Sequence, residues 1–418
     1  MENSSFHILA QDGSARTGLL KTPHGPIKTP AFVPVATRGA VKALSGAQFS
    51  EIGIQALITN AYHLHLQPGE AAIQKLGGLH RFMGWSGPLM MDSGGFQIFS
   101  LGLGKTKGGS KIMPPAIEKN APGKKRLDQG RRSMVRLTEE GAVFASYRDG
   151  STHRFTPEQV VTAGRNLGID LMMVLDECTS PFHNHEQTLA SMERTHRWAL
   201  RSLEEFHRRP ANGLSLFGVV QGGAFQDLRE KSAAFISGLP FQGFAIGGFL
   251  GTSPEERDHI LRWTIPHFPP DRPRHFLGLG LVEDILAMVA HGVDLFDCVA
   301  PTLMASTGVL LTRHSPRFRL RILNHQYNED SRAVEADCAC YTCRNHSRAY
   351  LRHLFAAGEP LGPILAAIHN LFFIESLLSA IRQAIQERRF DLFREKWLDD
   401  GQPDRDRESG QRENHFPD

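Results

Sequence analysis

The sequence predicts an α/β fold: a parallel (β/α)8 barrel, preceded by antiparallel strands and followed by a helical subdomain built round a cysteine–histidine cluster. Three observations lead there. Eight apolar runs of strand length recur between residues 31 and 296, many separated by helical patterns. Many of them end in a polar or glycine-rich tail: Asn60, Asp92, Asp176-Glu177, Gln221-Gly222-Gly223, Gly247-Gly248, Gly278 to Gly280 and Asp297. A barrel gathers all such ends into one ring, whereas an open doubly wound sheet gathers them only near a switch point. Downstream, Cys338, Cys340 and Cys343 fall within six positions.

Taken in order, Phe6 to Pro30 reads as short strands with turns at Asp12-Gly13 and His24-Gly25, an antiparallel cap over residues 1–30. The strand runs are Ala31 to Val35, Ala56 to Thr59, Pro88 to Met91, Leu171 to Leu175, Leu216 to Val220, Phe244 to Ile246, Phe276 to Leu279 and Val293 to Phe296. Helical patterns occupy Leu44 to Ile52, Thr156 to Leu167, Thr188 to Phe206, Phe225 to Ile236, Pro254 to Trp263 and Val282 to Ala290. Thr156-Pro157-Glu158 starts a helix well, with a threonine cap and proline at the first helical position. The barrel is placed at 31–310, with a Gly-, Lys- and Pro-rich insertion at 102–132 on the active-site face. A metal-binding helical subdomain is placed at 311–398 and a polar, disordered tail at 399–418.

Composition excludes some classes. With 418 residues, 41% hydrophobic and 22% charged, the chain is ordinary globular material. Between Gly104 and Arg132 stand nine Lys or Arg against Glu118 and Asp128, +7 in a chain whose total is +3, which leaves the rest at −4. That cluster fits a polyanionic partner, and it also fits a solvated loop. No run approaches the roughly 18 apolar residues of a membrane span. Met1 to Gly13 has no apolar core flanked by basic residues, so no signal peptide is expected. Five cysteines do not form a disulfide framework, and a reduced, cytoplasmic setting is expected.

Two groups of residues carry chemistry. Three thiolates and the imidazole of His369 satisfy a tetrahedral Zn²⁺ with no open position, so that site would be structural. The bland reading, three buried free cysteines, fits the spacing poorly. Asp297 stands where an apolar strand stops, and Pro301 forces the chain to turn away. A carboxylate there is placed to meet a substrate, or it caps the next turn. In Asp92-Ser93-Gly94-Gly95-Phe96-Gln97, glycines let backbone approach a ligand and Phe96 can stack on a planar base, although a tight turn capped by Asp92 reads the same.

Together these motifs resemble the tRNA-guanine transglycosylase family, the queuine tRNA-ribosyltransferases. The matching segments are Asn60-Ala61-Tyr62-His63-Leu64, Asp92 to Gln97, Asp176-Glu177-Cys178, Val220-Gln221-Gly222, Gly247-Gly248, Gly278-Leu279-Gly280, Phe296-Asp297-Cys298 and the Cys338/Cys340/Cys343/His369 set. The resemblance implies a TIM barrel with a zinc subdomain, usually dimeric. It implies exchange of the wobble guanine of GUN-anticodon tRNAs for a 7-deazaguanine. By position, Asp297 would be the nucleophile and Asp92 the general acid/base. Substrate contacts would fall at Ser93, Gly94, Gly95, Phe96, Asp176, Gln221, Gly248, Phe249, Gly251 and Leu277. RNA contacts would fall at Gly278, Leu279, Gly280, Leu281, Val282, Glu283, Asp284, Thr302, Leu303, Met304, Ala305 and Ser306.

The sequence departs from the family pattern at two places. The two arginines usual after Pro301 are missing from Thr302-Leu303-Met304-Ala305-Ser306-Thr307-Gly308. The basic insertion would then supply phosphate contacts in their place. Changing Lys124, Lys125 and Arg126 together is expected to weaken tRNA binding and flatten its salt dependence, and an unchanged titration across salt concentrations removes the idea. Glycine also stands at 251, where most bacterial members carry valine. This either enlarges the pocket for queuine or merely suits a local turn. Two other classes remain in view: a non-catalytic tRNA-binding subunit, which should have lost one of the two aspartates, and a barrel metalloenzyme using His63 and His65.

Overall fold

The computed structural model describes residues 5–102, 135–146 and 148–401. Eight parallel strands form one sheet in chain order: Ala31–Pro34, Leu57–Asn60, Leu89–Asp92, Leu171–Met173, Ser215–Val220, Gly243–Ile246, Arg274–Phe276 and Leu295–Cys298. The last pairs with the first, Asp297 opposite Val33, and a parallel bridge between Val35 and Ile58 closes the ring. Closure removes both sheet edges, so every strand buries two faces. That is why these runs are continuously apolar where a half-exposed strand would alternate.

The seventh strand lies earlier than its apolar run suggests, at Arg274–Phe276, because Leu277 to Gly280 leaves the ladder as a loop. The eighth runs on through Asp297 to Cys298, so Asp297 is held by strand geometry and not by a following turn. Pro301 does divert the chain, into the helix Ala300–Ser306. The helix starts at Pro157 and Pro254 are capped by Thr156 and Ser253.

Three short helices and one small sheet were not anticipated. Short helices occupy Ala61–Leu66, Glu70–Lys75 and Leu79–Met83. A three-stranded antiparallel sheet spans Val135–Leu137, Ala142–Ala145 and Thr152–Phe155. It is anchored to the helix His185–His207 by Trp198 and Arg201, which donate to the Glu139 carbonyl at 2.9 and 2.6 Å. Most of the expected insertion at 102–132 lies outside the described residues. Of the expected tail, residues 402–418 lie outside them as well, while the helix Phe390–Asp400 runs two residues into it.

The N-terminal sheet, Ser5–Asp12, Ala15–Thr22 and Gly25–Thr29, covers the end of the barrel where the strands begin. Arg16 grips Asp294, just before the eighth strand, with Nε–Oδ1 3.0 Å and Nη2–Oδ2 2.5 Å, and donates to the carbonyls of Pro270 and Arg272. Both partners are fully buried. Arg16→Ala would leave the buried Asp294 carboxylate with only the Arg274 N–H, at 2.8 Å, and the nearby Arg274 charge, so urea unfolding should show a loss of about 3 kcal/mol, the lower end of the range for a broken buried pair.

Beyond the barrel, Val309–Leu311 pairs with Arg319–Arg321, and a small apolar core forms from Leu310, Leu320, Ile322, Leu351, Leu354 and Leu365. The helix Leu361–Gln386 belongs to both cores. Its first turns pack there and its later residues Ile374, Leu378 and Ile381 pack with the barrel. This helix is long and apolar enough to cross a membrane, contrary to the expectation from sequence, yet 72% of its most apolar window is buried inside the protein.

Candidate functional site

The site is built on the C-terminal rim. Asp92 ends the third strand and sits opposite Asn60 at the end of the second. Asn60 Nδ2 donates to Asp92 Oδ2 at 2.9 Å and to Gln97 Oε1 at 2.8 Å, while its Oδ1 caps the helix Ala61–Leu66 by accepting from the His63 N–H. One amide therefore orients the Asp92 carboxylate and starts the next helix.

Asp297 belongs to the eighth strand. His275 Nε2 meets its Oδ1 at 2.8 Å, and the Gly278 N–H donates to the same oxygen at 3.0 Å. Two contacts on one oxygen fix the plane in which the carboxylate is presented. His275 is completely buried. It was not among the sequence candidates, because it follows Arg274 and precedes the apolar run that begins at Phe276. From Asp297 to Asp92 the rim crosses two strands, about 14 Å along the sheet at about 4.8 Å per spacing.

Between them lies a polar floor. Asp176 accepts from Ser93 Oγ at 3.0 Å and from Gln221 Nε2 at 2.7 Å. Gly248 lies against Gln221: a Cβ there would stand 2.2 Å from Gln221 Oε1, and its φ is +77°. Only glycine lets the backbone come so close. Gln221 Oε1 and Thr179 Oγ1 are both buried without a hydrogen-bond partner. Buried polar atoms are normally satisfied, so this floor is shaped for a polar ligand. Leu277 is buried at its edge, Phe96 is half-buried, and Gly94, Gly95 and Phe249 complete the surrounding turns.

Gly251 has φ +84°, and a Cβ on it would meet Glu256 Cβ at 2.7 Å. The turn therefore calls for glycine by itself, whatever base is bound. The expected RNA-contact residues divide. Leu279, Val282, Thr302 and Ala305 are buried, while Leu303 and Ser306 are exposed and Met304 is half-buried. Burial raises the pKa of both Glu283 and Asp284, and Asp284 is paired with Arg257 at 3.3 Å. That acidic pair is poorly suited to meet phosphate.

Away from the rim, Cys338, Cys340 and Cys343 place their Sγ atoms 3.8, 3.6 and 3.3 Å from His369 Nδ1. A tetrahedral zinc site with ordinary bond lengths has S···N edges of about 3.6 Å. His369 Nε2 donates to the Leu311 carbonyl at 2.6 Å, which fixes the tautomer with Nδ1 facing the thiolates. The four residues fit a metal ion. The alternative pair at the rim does not: both ring nitrogens of His65 are engaged, Nδ1 by Glu70 and Nε2 by His153. A further group, His24, His80 and Asp170, has its two imidazoles stacked 3.6 Å apart, so their in-plane lone pairs run side by side instead of converging.

A closed parallel barrel with carboxylates gathered on its C-terminal rim is an enzyme scaffold, and the Cys3His cluster beyond it could hold a metal ion. The family described as queuine tRNA-ribosyltransferase matches residues 11–114 and 120–403, and the break at 115–119 falls inside the basic stretch. A queuine tRNA-ribosyltransferase of Roseiflexus sp. is 42% identical over 408 residues, covering 94% of this chain and 99% of its own. Another, of Solidesulfovibrio magneticus, is 44% identical over 391 residues, covering 93% and 96%. A putative queuine tRNA-ribosyltransferase of Archaeoglobus fulgidus is 41% identical, covering 92% and 96%. The chain belongs to the queuine tRNA-ribosyltransferase family of transglycosylases.

Proposed function

We propose that this chain replaces the wobble guanine of GUN-anticodon tRNAs by a 7-deazaguanine through a covalent ribosyl-aspartate. The observation that carries the reading is the floor between the two rim aspartates. Asp176 presents carboxylate oxygens and Gln221 an unpartnered Oε1, which match the N–H edge of a guanine-like base, while Phe96 and Leu277 would cover its faces. The nucleotide must leave its stack to enter.

In the first half, the Asp297 carboxylate attacks ribose C1′. The C1′–N9 bond breaks, its electron pair goes to the base, and Asp92 supplies a proton to the departing guanine. In the second, Asp92 takes the N9 proton of the incoming deazaguanine. N9 then bonds to C1′, and the ester to Asp297 breaks to restore its carboxylate. Two displacements retain configuration, as a base swap inside an intact strand requires. His275 and Gly278 orient the nucleophile; Asn60 orients the acid/base.

Zinc is the metal we assign to the Cys3His cluster, held by Cys338, Cys340, Cys343 and His369. It stabilises the subdomain and takes no part in the exchange. A homodimer is proposed too, with Tyr341 and Tyr350 exposed beside the cluster as interface groups, together with a cytoplasmic setting. The division into cap 1–30, barrel 31–310, zinc subdomain 311–398 and tail 399–418 also belongs to this reading. Exchange of labelled guanine in a GUN-anticodon stem-loop tests the function, with 7-aminomethyl-7-deazaguanine and queuine offered separately. Both bases are expected to be incorporated. Turnover of the smaller base alone rejects queuine, and turnover of neither rejects the reading.

A further inference from the structure

Arg229 is fully buried on the helix Gln226–Ser237, and no carboxylate among the described residues pairs with it. Its guanidinium is spent on backbone carbonyls. Nε donates to Gly223 at 2.7 Å and Nη1 to Val220 at 3.3 Å, while Nη2 donates to Gly247 at 3.0 Å and to Phe249 at 2.7 Å. These acceptors lie in two groups, one on each side of Gln221 and one on each side of Gly248. They follow adjacent strands of the barrel, Ser215–Val220 and Gly243–Ile246. The same helix supplies Ser232, whose Oγ accepts from the Gln221 N–H at 3.1 Å.

We infer that Arg229 is a positioning residue for the base pocket, a buried strut that holds the Gln221 loop and the Gly248 loop in one register. The inference rests on the pocket reading above and adds to it the group that shapes the pocket from behind. In a trans peptide the carbonyl and the next N–H point in opposite directions. With the Gly247 carbonyl drawn to Arg229, the Gly248 N–H is turned away from the guanidinium. One planar fork reaching both loops does what a lysine ammonium, a compact point charge, cannot do. Burial lowers the Arg229 pKa to about 9, so it remains a cation at neutral pH, balanced by carbonyl dipoles.

The test uses the full-length, metal-loaded protein with Arg229→Lys and Arg229→Gln. Base-exchange kinetics are measured alongside amide hydrogen exchange. For both variants the KM for the base should rise about tenfold or more, while the KM for tRNA changes by less than about twofold. Amides at 221–223 and 247–250 should exchange faster, while those of the N-terminal sheet and the metal content stay as in the parent. Arg229→Lys should fall between the parent and Arg229→Gln. An unchanged base KM with unchanged loop protection overturns the inference. So does loss of protection throughout the barrel, or failure of both variants to fold, because a strut confined to two rim loops leaves the barrel standing. Gln221→Ala is the control for the pocket: if it leaves the base KM unaltered, the pocket reading falls, while loop protection still reports on the strut.

Discussion

Asp297→Ala should abolish base exchange, by about a thousandfold or more, and should leave no covalent protein–RNA complex on a denaturing gel. The geometry gives the reason. His275 and Gly278 hold one carboxylate oxygen, so the group is presented in a fixed plane at the barrel rim. Alanine removes the nucleophile, and the buried His275 loses its acceptor. Asp297→Asn separates these effects, since it keeps an oxygen for His275 and loses the charge and the nucleophile. It should fold like the parent and remain inactive. Asp92→Asn should behave differently, slowing exchange by about 10²- to 10⁴-fold, the usual range for a lost general acid/base, with tRNA binding preserved. Retention of exchange by Asp297→Ala would favour a binding subunit over an enzyme.

Stripping the metal with a strong chelator, or Cys340→Ser, should lower the melting temperature and release one zinc per chain by elemental analysis. Metal binding in such sites is folding free energy, of order 10 kcal/mol in small zinc domains. Here part of that loss is buffered, because the helix Leu361–Gln386 keeps its second half in the barrel core when its first half is freed. The expected signature is therefore early loss of the small core around Leu310, Leu351 and Leu365, with the barrel melting later. A single melting transition at the original temperature after complete metal removal would refute the structural role.

The barrel was legible because closure buries each strand on both faces and leaves apolar runs unbroken. Its strands were located to within about two residues, with the seventh displaced because Leu277 to Gly280 is as apolar as a strand but stands in the loop after it. The sheet Val135 to Phe155 was not legible. Its strands are three or four residues long, too short for a period to show, and they are held by Ala142, Phe144 and Phe155 in the main core together with an arginine of a distant helix. The membrane-length helix shows the converse difficulty: two cores share it, so its apolar character wraps around the axis.

Taken alone, the sequence determined the fold class, the family, and the Cys3His set, because each rests on local features: burial period, strand-end residues and cysteine spacing. Only the tertiary structure decided which groups hold those residues in place. His275 on Asp297, Asn60 on Asp92 and Arg229 behind two loops are contacts between neighbouring strands and their following helices. Such contacts depend on which strands lie side by side and in what register, and register belongs to a pair of strands, so no single stretch of chain carries it by itself.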